Sequence, residues 1–180
     1  MDAKGMNDSG QVVFAKSGKE SLRYTPAVSL GDMGTYVSFP FFCNFNSINF
    51  FGELVGSTRV LLRKNNYENT AYRAATPGSA QVLHRSTTSL GTLCINDDSD
   101  AIVTIGGRSS LYTDMNGMGL IKLDNLVVGT PAALTKWREH FTMVRAMTNR
   151  YPVNETSSYP VMSGDAGLPS QAFVLVPQLP

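Results

Sequence analysis

Charge is scarce in this chain. Its 15 basic and 14 acidic residues make up 16% of 180 positions, against about 25% in an average soluble protein. The net charge of +1 excludes strong non-specific binding to nucleic acid, because that affinity comes from counterions released by clustered lysine and arginine. Cysteine is limited to Cys43 and Cys94, too few for a disulfide framework. Both lie in apolar, strand-like surroundings and read as buried reduced thiols, and neither has a second Cys or a His at metal-ligand spacing. No run reaches the roughly 18 apolar residues that span a bilayer, so no membrane span is expected. Residues 1–10 hold a single Lys and no apolar core, which excludes a signal peptide or a polybasic arm. They are expected to form a flexible lead-in to one β-rich domain over residues 11–180.

Turn formers and uncharged polar residues take the place of charge. The chain has 16 Gly and 9 Pro with 42% apolar residues, and Ser, Thr and Asn number 17, 15 and 12. Short apolar runs broken by Gly, Pro and Asn point to an all-β fold, an antiparallel β-sandwich or jelly-roll-like arrangement. Strands are expected at 11–15, 21–24, 35–39, 44–54, 58–64, 81–84, 90–96, 101–105 and 172–176. A hairpin joins 110–113 to 119–123 through Asp114-Met115-Asn116-Gly117, since Asn-Gly tolerates the positive φ of such turns. One helix is expected near residues 131–147: Thr130 caps it, Pro131 suits its first turn, and Leu134, Trp137, Phe141 and Val144 share one face. The run 65–75 fits either a short helix or a long loop. Residues 151–170, rich in Pro, Gly and Ser, are expected to cross the surface. No internal repeat at a solenoid or propeller period is evident.

Few constellations carry chemistry. Phe39 to Phe51 holds six of the nine phenylalanines. A central core strand explains most of it, but phenylalanines on both faces also offer a subunit contact, with Phe41, Phe42, Phe45, Phe50 and Phe51 as the candidate interface. Asp97, Asp98 and Asp100 could gather around a hard cation, although they lack the spacing of an EF-hand and a solvated turn accounts for them better. His84 stands beside Ser86, Thr87 and Thr88, yet no Gly-x-Ser-x-Gly elbow is present. Arg59, Arg63 and Lys64 flank Val60, Leu61 and Leu62, a solvated strand face rather than a stacking platform. The triplets at Asn7 and Asn154 match glycosylation acceptors, a pattern that arises often by chance. No catalytic, cofactor-binding or metal-binding residue is assigned, no cofactor is expected, and the chain is expected not to be an enzyme.

The segment Tyr36-Val37-Ser38-Phe39-Pro40-Phe41-Phe42, the Pro-rich ending Val174-Leu175-Val176-Pro177-Gln178-Leu179-Pro180 and the Ser/Thr/Asn-rich composition resemble β-sandwich capsid or surface-projection domains of small icosahedral viruses, including picornavirus-like jelly rolls. The resemblance covers composition and about fifteen residues. It implies a virion structural protein whose partners are copies of itself or other capsid subunits. Many capsid proteins of that kind carry an Arg-rich N-terminal arm that this chain lacks, so a shell, spike or decoration role is implied rather than genome packaging. A β-sandwich module binding carbohydrate through its loops is the alternative, with Tyr67 beside Asn66 and Asn69, or Tyr159, as its aromatic contact.

Overall fold

Tight turns divide the chain into four consecutive β-meanders. The computed structural model describes residues 1–15, 20–29, 31–39, 43–64, 66–132, 135, 137, 143–152, 158–165 and 172–176. The first sheet contains β1 (Asp2–Met6), β2 (Val12–Ala15), β3 (Ser21–Thr25) and β4 (Thr35–Phe39). The second contains β5 (Asn44–Ile48), β6 (Leu54–Arg63), β7 (Asn66–Ala74) and β8 (Gln81–Ser86). The third holds β9 (Leu90–Ile95), β10 (Ala101–Ile105), β11 (Arg108–Thr113) and β12 (Gly119–Lys122), and the fourth β13 (Met143–Pro152), β14 (Ser158–Asp165) and β15 (Ala172–Leu175). Every sheet is antiparallel with its strands in chain order, so the expected all-β, sandwich-like class holds. The connections are those of simple meanders, without the Greek-key crossings of a jelly roll.

The sheets pack face to face in sequence, and strand alternation feeds three cores. Val13, Phe39, Phe45 and Leu54 join the first sheet to the second. Val55, Ala71, Ala101 and Val103 join the second to the third. Ile102, Leu111, Val144 and Met162 join the third to the fourth. Neighbouring residues such as Leu54 and Val55 thus enter different cores, because successive side chains in a strand point to opposite faces. A middle sheet covered on both faces needs apolar residues at consecutive positions, which is how β6 and β10 read.

A repeat that the sequence conceals governs the stacking. Asn7, Asn49 and Asn96 each begin a tight turn. In each, the asparagine side-chain oxygen accepts the backbone N–H four residues on, from Gln11, Glu53 or Asp100, at 2.8–2.9 Å. The fourth turn residue has positive φ, at Gly10 (74°), Gly52 (80°) and Ser99 (63°), the left-handed backbone that glycine adopts without a Cβ clash. Each asparagine then reaches into the next meander: Asn7 Nδ2 donates to the Asn49 carbonyl, Asn49 Nδ2 to the Asn96 carbonyl and Asn96 Nδ2 to the Thr148 carbonyl, at 2.7, 3.0 and 2.9 Å. These steps span 42, 47 and 52 residues. A register shift also falls just upstream of each of these four positions, in β1, β5, β9 and β13. A repeat at propeller-like period is therefore present, contrary to expectation, but it conserves hydrogen-bond geometry and one residue type per unit, not a sequence pattern.

Other expectations also change. Residues 1–10 are not a lead-in: β1 pairs with β2 and Asn7 is buried. The single strand expected at 44–54 is broken by the Asn49 turn. The ambiguous run 65–75 is β7, a polar strand made regular by its neighbours β6 and β8. Part of 151–170 is the end of β13 and β14. The expected hairpin at Asp114 forms, with a short 3-10 turn over Met115–Gly117 and Gly117 at φ 69°. The expected helix is shorter than 131–147. Pro131, Ala132, Thr135 and Trp137 are helical, Leu134 and Phe141 lie outside the described residues, and residues from Met143 onward belong to β13. Val144, expected on the helical face, instead lies in β13, where it is fully buried in the third core. Trp137 locks the helical turn down: its Nε1 donates to Asp124 at 2.9 Å, and its ring meets Phe173 edge-on at 5.3 Å.

The two thiols sit in different cores, Cys43 in the first and Cys94 beside the third, and both are free. Burial pushes each thiol up to about 12, so neither forms the reactive thiolate near neutral pH. Brief iodoacetamide treatment at pH 7.5 should add no mass to the folded chain and two carbamidomethyl groups in denaturant, as read by intact mass spectrometry.

Candidate interaction surfaces

The phenylalanine-rich segment separates into core and surface. Phe45 is fully buried and meets Phe39 edge-on at 5.3 Å, so it belongs to the core and presents nothing to a partner. Phe50 and Phe51 occupy the two central positions of the Asn49 turn, where the other two turns carry Asp8-Ser9 and Asp97-Asp98. They are 52% and 69% exposed and pack edge-to-face at 5.6 Å. Phe41 and Phe42 lie outside the described residues.

A second apolar surface is one that sequence reasoning read as a solvated face. Strand β5 pairs with β6 only over Leu54–Ser57, and β8 pairs with β7 only from Asn69. Val60 to Arg63 and Asn66 to Glu68 therefore pair only with each other and project as a two-stranded arm. Val60, Leu61 and Leu62 on this arm are each about half exposed. Three consecutive uncovered aliphatics on a ribbon with no sheet behind it were the available signal; an isolated ribbon is marginal in water.

Beside the base of the arm runs a polar groove of about 430 Å³ lined by Asn44, Thr58, Arg59, Asn66, Tyr67 and Asn69 among others. The fold thus brings together Asn66, Tyr67 and Asn69, the residues named for carbohydrate contact. The Arg59 guanidinium lies 3.8 Å from the centre of the Tyr67 ring, so a ligand has one ring face to stack on. The side chain of Tyr159 lies outside the described residues.

The carboxylates considered for a cation are engaged by protein groups. Asp97 accepts the Phe50 N–H and the Asn149 amide. Asp98 accepts the Arg150 backbone N–H. Asp100 is fully buried and takes a forked contact from Arg150, Nε at 2.8 Å and Nη2 at 2.5 Å. Arg150 also donates to Thr113 at 2.9 Å, and the bond to Asp100 is the main reason its guanidinium holds its proton more tightly than usual. A guanidinium from the fourth meander fills the role a cation would have had, joining that meander to the third. Nearby, burial alone would raise Asp114, but the hydrogen bond and charge of Arg73 hold it below the ordinary carboxylate range. The hydroxyls near His84 bond each other, Ser86 to Thr88 at 2.7 Å. Asn7 has its amide buried and bonded to Gln11 and Asn49, which leaves it unavailable for glycosylation in this fold; Asn154 lies outside the described residues.

Comparison with known proteins finds no family model, no curated protein and no solved structure that matches this chain.

Arg150→Met strands the Asp100 carboxylate in the interior. The expected loss is about 3–5 kcal/mol in urea unfolding, and Arg150→Met combined with Asp100→Leu should recover most of it, because removing both charges also removes the desolvation penalty.

Proposed function

We propose that this chain is a non-enzymatic structural subunit of a virion, a shell, spike or decoration protein that associates with copies of itself or with other capsid subunits. The observation that carries the proposal is the β6–β7 arm, whose Val60, Leu61 and Leu62 are each about half exposed on a ribbon that no other strand extends among the described residues. An apolar ribbon of this kind gains from lying on another subunit, and Arg59, Arg63 and Lys64, which flank the three aliphatics, suit a polar rim around such a contact. The resemblance of the Tyr36–Phe42 and C-terminal segments to capsid and projection domains supplies the virion setting.

Replacing Val60, Leu61 and Leu62 together by Ser should leave unfolding within about 0.5 kcal/mol per site of wild type, as for exposed positions, while lowering the mass seen by light scattering or excluding the chain from particles in electron micrographs. A wild-type chain that stays monomeric at millimolar concentration and is absent from particles of its source would overturn the proposal.

The groove favours one second reading, a carbohydrate-binding module, since amides, hydroxyls and one aromatic face line it together. On a glycan array, binding by wild type that falls roughly tenfold in Tyr67→Ala would support it; an array without signal removes it.

A further inference from the structure

Each sheet in the stack turns one face to the sheet before it and the other to the sheet after it. The positions facing backward are structurally equivalent from unit to unit. The residue before the turn asparagine is Ile48 in the second unit and Ile95 in the third, 6% and 7% exposed. Five residues after the asparagine stand Leu54 and Ala101, both fully buried. In the first unit the same two positions are Met6, which is 71% exposed, and Val12, which is only half-buried.

The first sheet therefore carries the backward-facing half of a junction that no sheet covers among the described residues. Register extends that half into a cross-strand row, Met6–Val12–Tyr24–Tyr36, with Tyr24 and Tyr36 in ring contact at 5.0 Å and Tyr36 64% exposed. Phe14 and Leu22 form the next row on the same face. An uncovered face of a stacked repeat stays apart from other copies when it is polar, and this one is apolar. The fourth sheet likewise has a forward-facing side that no sheet covers among the described residues, the row Ala146–Ser163–Val174 with Val161 alongside; Val174 is 63% exposed. Among the described residues, no packing comparable to the three internal junctions joins the fourth sheet back to the first.

Resting on the assembly reading above, we propose that these two unpaired halves meet between molecules: the outer face of β13–β15 in one copy stacks on the outer face of β1–β4 in the next, continuing the order used three times inside the chain. Such a contact is heterologous, since it joins two different surfaces, and it propagates to a closed ring or a filament. The first sheet is the receiving half by its position in the repeat, so two first sheets placed together would not reproduce any junction the chain uses.

Two surface variants test this. Tyr36→Lys spoils the receiving face and Val174→Lys the donating face, and each should weaken association about 30-fold or more by placing an unpaired ammonium in the contact. By sedimentation velocity, each variant alone should be monomeric where wild type forms larger species. An equimolar mixture should form a dimer and nothing larger, because one good face survives on each partner. Loss of association in Tyr36→Lys with none in Val174→Lys would point to a two-fold contact between first sheets and overturn the head-to-tail arrangement. Undiminished association in both variants, or a monomeric wild type that still enters particles, would overturn it too while leaving the structural-subunit reading intact. Circular dichroism of each variant, matching wild type, confirms that loss of association is not loss of fold.

Discussion

A buried primary amide has two donors and one acceptor to satisfy, and the stack depends on how Asn7, Asn49 and Asn96 do so. The side-chain oxygen of each closes its own turn, and the nitrogen is divided between its own unit and the backbone of the next. One N–H of the amide finds its partner only when the next meander is in place, so full satisfaction of the buried turn and sheet stacking are coupled. Leaving such a donor unpaired costs about 1–3 kcal/mol, comparable to the burial of a core side chain. Because the bond ends on a backbone carbonyl, it fixes the offset between consecutive sheets independently of the side chains that fill the core.

The bonds that accompany this relay change along the chain. Between the first two meanders Arg23 donates to the Gly52 and Ala75 carbonyls. Between the second and third, Ser99 donates to Glu53 and the Phe50 N–H to Asp97. Between the third and fourth, Arg150 grips the buried Asp100. The residue closing each turn is Gln11, then Glu53, then Asp100; Glu53 takes a hydroxyl from the next meander and the fully buried Asp100 a guanidinium. In a chain with so few charges, several of those present are placed at junctions, which helps to explain why the surface is polar without being charged.

What could be read from the sequence follows from which force shaped each element. Strands covered on both faces by apolar contacts, such as β10 and β11, announce themselves by runs of Ile, Val, Leu and Tyr. The Asn-Gly hairpin does so through its turn chemistry. By contrast β7, Asn-Tyr-Glu-Asn-Thr-Ala-Tyr-Arg-Ala, is a strand because β6 and β8 hold it on both sides, and no local preference records that. Strand β1 is hidden for the same reason: Gly5 sits against the backbone of Asn46 and Ser47, a close approach that looks like turn composition when read alone. The repeat is hidden in the sequence because it preserves only one asparagine and one turn geometry in each of the first three units. At the candidate surfaces, the phenylalanine cluster drew attention by composition, yet only register decides that Phe45 is core while Phe50 and Phe51 are exposed.

Stacking of successive sheets has a consequence for the molecule's ends. In such an array each unit is stabilised by its neighbours, so the residues that suit a core position and those that suit an end position differ only in whether another unit follows. Met6, Val12, Tyr24 and Tyr36 are chosen as a core row would be, in strand register and with ring contacts, and lack only the covering layer. The arm at Val60–Leu62 is exposed for a different reason, since it extends past its own sheet edges. The two apolar surfaces differ in surroundings as well as in origin: the row from Met6 to Tyr36 holds no charge of the kind that keeps monomers apart, whereas Arg59, Arg63 and Lys64 flank the arm.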